Sequence, residues 1–254
     1  MALAAFLFVL TACEDKKAEQ PQNNDNKNQV VVDDKNNDNK NEQVINEPTQ
    51  KEESTEETPG NIEIIRNVWE MTPIPGIAEK GKVDIERFAR AFCYEYSNYE
   101  PNKALCDYLK DPKGYNNEDY RVDNQKSNGY IKCQGMFQVS WDVTGCYWNR
   151  DNGHKLVAFW LEQGHESDPE LADALVVFYD YDPAKDVMTP EPALGNAIEK
   201  AMAHYDTYSV ELPDKGKDIE LVGYKIDYKN DSAEPYYYIY RWNGNDFKLE
   251  KAKD

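Results

Sequence analysis

Apolar residues recur along this chain with two different periods, and the switches between them lay out its architecture. From Asp84 to Tyr96, the residues Ile85, Phe88, Ala89, Phe92, Cys93 and Tyr96 fall at offsets 0, 3, 4, 7, 8 and 11. That is the stripe of a helix buried on one face, and Asp84 stands where an N-cap belongs. After a break at Asn98–Asn102, a shorter helix is predicted over Lys103–Lys110. From Asn128 the texture turns to β. Tyr130–Cys133, Phe137–Trp148 and Lys155–Glu162 read as strands, and Asp151-Asn152-Gly153 predicts a hairpin with a type I′ turn. A strand at Ala174–Tyr181 runs through Asp182-Pro183-Ala184-Lys185 into Val187-Met188-Thr189. Helical spacing returns after Pro192, with Leu194, Ala197, Ile198, Ala201, Met202 and Tyr205 again at 0, 3, 4, 7, 8 and 11. Strands Ile219–Asp227, Tyr236–Trp242 and Phe247–Glu250 follow, the last two joined at Asn243-Gly244. Strands linked by short turns imply an α+β fold. An antiparallel sheet carries two N-terminal helices and one later helix.

The first 60 residues have neither period. Residues 2–12 are uncharged and largely apolar and lead into Leu10-Thr11-Ala12-Cys13, which reads as a lipobox. The run suits the core of a secretory signal and falls short of the roughly 20 residues that span a bilayer. Its logic is chemical. Small residues before the cut admit a signal peptidase, and the Cys13 thiol takes the lipid. No Lys or Arg precedes the apolar run, so the true start is expected upstream. Several acyl chains hold a protein at a membrane durably where one does so only marginally. Residues 1–12 are thus expected to be a lipoprotein signal peptide and residues 13–59 a lipidated cysteine with a polar tether. That tether repeats Asn-Asn-Asp-Asn-Lys-Asn at 23–28 and 36–41. Such a composition cannot bury enough apolar surface to offset chain entropy, and a flexible coil of this length reaches roughly 35–40 Å. Residues 60–254 suffice for one core, or for two subdomains split near Pro169.

The formal net charge is −19. An acidic domain on an acidic stalk is repelled by phosphates, which argues against nucleic acid as a partner. The membrane is then reached through the anchor.

A resemblance rests on several stretches taken together. They are the lipobox, the Asn-rich tether, the Phe88-Ala89-Arg90-Ala91-Phe92-Cys93 helix, Asn128-Gly129-Tyr130-Ile131, Cys146-Tyr147-Trp148 with Asn152-Gly153-His154-Lys155-Leu156, and Tyr179-Asp180-Tyr181-Asp182-Pro183. In these the chain is similar to uncharacterised lipoproteins of the Bacteroidetes over most of residues 84–250. The resemblance implies an envelope location, outer-membrane and surface-exposed, with a periplasm-facing outer-membrane position as the alternative. Glu14-Asp15, directly after the cysteine, is similar to a signal for display on the cell surface. It implies nothing about activity.

Candidate chemistry is sparse. Cys93, Cys106, Cys133 and Cys146 are an even set, which in an oxidising envelope permits two disulfides in any of three connectivities. Four buried, reduced thiols are the alternative. Cys93 and Cys106 flank a helix–helix turn and can meet, whereas a simple hairpin register does not set Cys133 opposite Cys146. There is no Cys-x-x-Cys pair, nucleophile elbow, zinc-protease helix or phosphate-cradling glycine loop. His154 and His165 bracket a predicted strand and would lie about 36 Å apart, too far to share a metal or a proton. His204 falls near the end of the later helix, where a cation suits the dipole. Asp180, Asp182, Asp186 and Glu191 occupy positions 1, 3, 7 and 12 of a calcium-loop frame, with Ala184 and Lys185 at positions 5 and 6. The composition does stand out in one respect, with 18 Tyr and 5 Trp. Tyr236, Tyr238, Tyr240 and Trp242 share one face of a strand and Tyr237, Ile239 and Arg241 the other. Exposed, such a row suits stacking on sugars or a protein partner; packed, it is core.

These features predict a lipid-anchored, non-catalytic binding module for a glycan, peptide or partner protein, with no cofactor. One alternative is an envelope hydrolase built on two carboxylates about 5–10 Å apart. The other is a structural subunit of a surface complex, which would expose an apolar patch of several hundred Å².

Overall fold

Two central strands are apolar at consecutive positions, and this decides the layering. Leu156 to Leu161 are buried without interruption, as are Leu175 to Tyr179. Strands of that kind need cover on both faces. The computed structural model describes residues 62–77, 82–136, 141–164, 173–230 and 232–251. The lipobox with Cys13, the tether, His165 and the first residues of the strand predicted from Phe137 lie outside them.

In chain order, α1 (Ile62–Val68) and a single 3₁₀ turn (Trp69–Met71) lead to a two-residue strand, β1 (Ile74–Pro75). Helices α2 (Ile85–Glu95) and α3 (Glu100–Lys110) follow. Next come β2 (Tyr120–Gln125), β3 (Tyr130–Gly135), β4 (Trp141–Asn149), β5 (Lys155–Gln163), β6 (Asp173–Asp182) and β7 (Val187–Pro190). Helix α4 (Pro192–Met202) precedes β8 (Thr207–Glu211), β9 (Ile219–Asp227), β10 (Ser232–Trp242) and β11 (Phe247–Lys251). The fold is α+β. The sequence predicts a single sheet, but the C-terminal strands form their own. A seven-stranded sheet runs β1-β7-β6-β5-β4-β3-β2 and a four-stranded sheet runs β11-β10-β9-β8, each pair antiparallel. Strands β5 and β6 stand on either side of residue 169 and pair from Lys155↔Tyr181 to Gln163↔Asp173.

One face of the large sheet carries α1, α2 and α3. Phe88 and Phe92 of α2 enter among Val157, Phe159, Val177 and Tyr179, and Phe92 stacks on Phe159 at 3.9 Å. The other face carries α4 and the small sheet. There Trp148, Trp160 and Phe178 meet Ile198, Leu221 and Tyr240. One strand surface thus serves two cores. A sheet that must be covered twice is why the last strands peel away into a second layer.

Local chemistry explains the element ends. Asp84 caps α2 by accepting from the Arg87 amide at 3.4 Å. Helix α3 begins at Glu100, earlier than predicted, because Pro101 fits a first turn where no amide is needed. Asn102, predicted to be part of the break, is fully buried and donates to the Tyr96 carbonyl at 3.0 Å. The turn is fixed to the sheet by the buried Tyr99 hydroxyl, which donates to the carbonyls of Glu162 (2.7 Å) and Asp142 (3.1 Å). The β4–β5 turn is a hairpin, but not type I′. The Gly153 amide donates to the Arg150 carbonyl at 3.1 Å, and Gly153 takes positive φ (87°) while Asp151 and Asn152 do not. A type I turn followed by a left-handed glycine also matches strand twist, and it lets Arg150 and His154 close a three-residue loop.

Candidate functional site

Where the helical layer ends, beside the two-residue strand β1, the fold leaves an opening. Residues 74–77 form one wall, α2 gives Arg90, Ala91, Tyr94 and Glu95, and α3 gives Cys106 and Lys110. Together they bound an apolar cavity of about 450 Å³. The wall at 74–77 is held by Asp186. Its carbonyl accepts from the Gly76 amide at 2.7 Å, and its carboxylate accepts from Tyr181 Oη (2.8 Å) and Arg87 Nη2 (2.6 Å). Asp186 takes the left-handed conformation, φ 52°. A Cβ on Gly76 would lie 2.0 Å from the Asp186 carboxylate, so only glycine fits there. The groove therefore has a rigid side, backed by the sheet.

The rim of the groove carries two cations, Arg90 and Lys110, in a chain whose net charge is −19. Arg90 Nη2 donates to the Leu109 carbonyl at 3.2 Å, which joins α2 to the end of α3. Lys110 pairs with Asp107 at 2.9 Å, a bond that raises the lysine's pKa and keeps it cationic. Glu95 is the opposing acid on the same rim. Tyr94, 80% exposed, stands beside the opening.

Cys106 lies on the cavity wall and packs against the core that holds Cys93. Cys133 is buried near Cys93 in the same core, its thiol raised to about 12 by burial and by Asp142. Cys146 is different. It points into the other core, on the opposite face of the seven-stranded sheet. Tyr130 pairs with Cys146 and Cys133 with Val143, which confirms the opposed faces. Every connectivity with two disulfides needs a partner for Cys146, so the sheet itself rules out that set. The structure holds all four as thiols.

The calcium-loop frame is also overturned. Arg150, with a 9% exposed side chain, puts its guanidinium between Asp180 and Glu191, reaching Glu191 at 2.7 Å. His154 Nδ1 lies 2.6 Å from Asp180 as well. Asp182 turns instead to Lys185 (3.1 Å) and to the Ala184 amide (2.8 Å), and Asp186 to Arg87 and Tyr181. An internal cation already occupies the acids. Among the described residues no group of three or more His, Cys, Asp or Glu is placed to hold a metal ion. The His204 ring lies tilted against that of Tyr205, with centroids 4.0 Å apart.

The aromatic row turns inward. Tyr240 is buried, and Tyr236, Tyr238 and Trp242 are half-buried. Tyr238 Oη is 2.6 Å from Tyr205 Oη, the Tyr236 ring lies 5.3 Å from that of Tyr205, and Trp242 stacks on Trp148 at 5.9 Å. On the opposite face Tyr237 is 56% exposed. The row closes the second core and offers no flat platform.

A polar cavity of about 340 Å³ between the sheets gathers Glu162, Glu211 and Asp214 with Lys132. Lys132 is paired with the buried Asp142 at 2.9 Å. A general acid needs a carboxyl raised in pKa. Three carboxylates outside this cavity, Glu86, Asp182 and Asp227, are displaced the other way. Burial pulls Glu86 up, but hydrogen bonds from Lys126 and Asn124 outweigh it; Asp182 is lowered by Lys185 and Asp227 by Asn230.

The groove was not legible in the sequence. Ile74-Pro75-Gly76-Ile77 resembles any apolar turn, and Ala91 and Tyr94 fall off the main stripe of α2. The Pro-Gly step between two isoleucines is the one signal that could have pointed to it.

No family model matches the chain, and no curated protein matches it. Among solved structures it is similar to a domain of an uncharacterised protein from Porphyromonas gingivalis W83. Identity is 13% over 66% of this chain and 99% of that domain, with a TM-score of 0.41, a likeness that says nothing of activity.

Proposed function

We propose that this chain is a lipid-anchored envelope protein whose folded unit binds a peptide end without catalysis, in the groove between residues 74–77, α2 and α3. The observation that carries the ligand reading is the apolar cavity of about 450 Å³ with Arg90 and Lys110 at its rim, in a chain of net charge −19. Pockets of this size, apolar with a few convergent polar groups, suit a small ligand body. Apolar side chains fill the cavity and a terminal carboxylate meets the two cations, while Glu95 disfavours a second negative charge. The glycan version loses its support because the aromatic row is packed. Anchoring rests on the lipobox at Leu10–Cys13 and on the polar tether, with an outer-membrane, surface-facing address. Among the described residues no helix is long and apolar enough to cross a membrane.

Calorimetry with acetyl-Leu-Leu-Phe as free acid and as carboxamide tests the site. The free acid is expected to bind about tenfold more tightly, near 1.4 kcal/mol. Lys110→Glu should remove that preference, and Ala91→Phe, which fills the cavity, should abolish binding with the fold retained by circular dichroism. Equal affinity for acid and amide, or binding that survives Ala91→Phe, would overturn the reading.

A further inference from the structure

We infer that Cys106 and Cys93 form a thiol–disulfide exchange site, with Cys106 the attacking thiol presented to small disulfides in the groove and Cys93 the resolving thiol behind it. The inference stands on the placement of these side chains and is independent of what else the groove binds.

Three observations converge on it. First, α2 and α3 form a helical hairpin tied by Arg90 on the Leu109 carbonyl and Asn102 on the Tyr96 carbonyl, and that register sets Cys106 across from Cys93 at the same core. Second, accessibility is divided between them. Cys106 is half-buried and lines the cavity, whereas Cys93 is fully buried and faces Asn102 Oδ1 at 3.8 Å. An attacking thiol must be reached by its disulfide, and a resolving thiol need only reach its neighbour. Third, the charges around the pair favour the thiolate at Cys106. The neighbouring Cys93 thiol contributes most, and Lys110 and Arg90 assist against burial and Asp107, so its pKa is lowered. Burial holds Cys93 well above the usual thiol range. That asymmetry marks reactive cysteines off from structural ones. Cys133 and Cys146, both buried and both raised, have no such surroundings.

The chemistry balances without a metal or a cofactor. The Cys106 thiolate attacks one sulfur of a small disulfide; that S–S bond breaks, a mixed disulfide forms at Cys106, and one thiolate leaves. Cys93 gives up its proton and attacks the Cys106 sulfur, expelling the second thiolate. In sum, two cysteine thiols lose two electrons and two protons, and the small disulfide gains them as two thiols.

The test uses the full chain carrying Cys13→Ser, so that the thiol outside the folded unit does not report. The protein is treated in native buffer with 5,5′-dithiobis(2-nitrobenzoate), and thionitrobenzoate release is followed by absorbance and peptide mass mapping. The expected result is two equivalents released per chain, a mapped Cys93–Cys106 disulfide and no retained adduct. Cys106 should react at least about tenfold faster than Cys133 or Cys146. Cys93→Ala should release one equivalent and retain a mixed disulfide at Cys106, and Cys106→Ser should remove the fast phase. If Cys93→Ala does not fold, mapping of the parent chain decides alone. A retained adduct on Cys106 there, a disulfide to Cys133, or no fast phase would each overturn the inference.

Discussion

The two faces of the seven-stranded sheet are built to different standards. On the helical face, Ile62, Ile65, Phe88, Phe92, Leu105 and Phe159 are closed off from solvent, and buried hydroxyls such as Tyr99 bond into the sheet's end. On the other face the cover is a helix and a small sheet whose rim is half-wet: Tyr205, Tyr238, Trp242 and Phe247 all keep part of their surface exposed. Yet the tighter face is the one with the groove. An interlocked core stops abruptly where the covering element is too short, and β1 is two residues long. A core edged with Tyr and Trp seals gradually, because each ring buries its body and leaves its polar atom in water. Aromatic content and the position of the groove are thus decoupled in this molecule.

Core substitutions on each side give the sharpest contrast. Phe92→Ala removes a fully buried ring stacked on Phe159 and should cost about 3–5 kcal/mol, read from urea denaturation. Trp242→Ala, on the half-wet rim, should cost about 2 kcal/mol. Equal losses would erase the distinction between the faces. Weakest is the charge cluster at the start of α2. Lys126 bonds Glu86 and lies 3.2 Å from Asp84. Because Lys126 itself is half-exposed, Lys126→Met should cost only about 1 kcal/mol at pH 7. The sign of its pH dependence is fixed. Glu86 has a folded pKa below the ordinary 4.5, so its contribution is complete above that value and is lost as pH falls through the lower one. The variant and its parent should therefore converge in acid; a gap that widens there would contradict the assigned ion pair.

Much of the fold was legible because its signals are local. The stripe on α2, the Pro192 start of α4 and the limits of β9 follow from periodicity and chain punctuation. Strands β2 and β8 escaped because Tyr120–Gln125 and Thr207–Glu211 are mostly polar, and they belong to sheets only by pairing with β3 and β9. The strand predicted from Tyr236 starts earlier, since β10 begins at Ser232 and pairs through Pro235 with Tyr224. The second sheet was missed for a related reason. Alternation says that a strand has two faces but not which neighbour covers each. Of the candidate sites, the turn that brings Cys93 to Cys106 was readable, since both flank it. The place of Arg150 among Asp180 and Glu191 was not, because no local pattern announces a cation arriving from another hairpin.

Strand β1 also bears on how the chain comes together in time. Ile74 pairs with Met188, and α1 rests Ile62 and Ile65 on strands made much later. A chain emerging from its amino end thus carries α1 and β1 with nothing to rest on until Val187 and Met188 have been synthesised. The groove wall, pinned to Asp186, is among the last parts to be set in place. A chain exported before folding meets this order harmlessly, whereas one folding as it is made must hold its first segment open throughout.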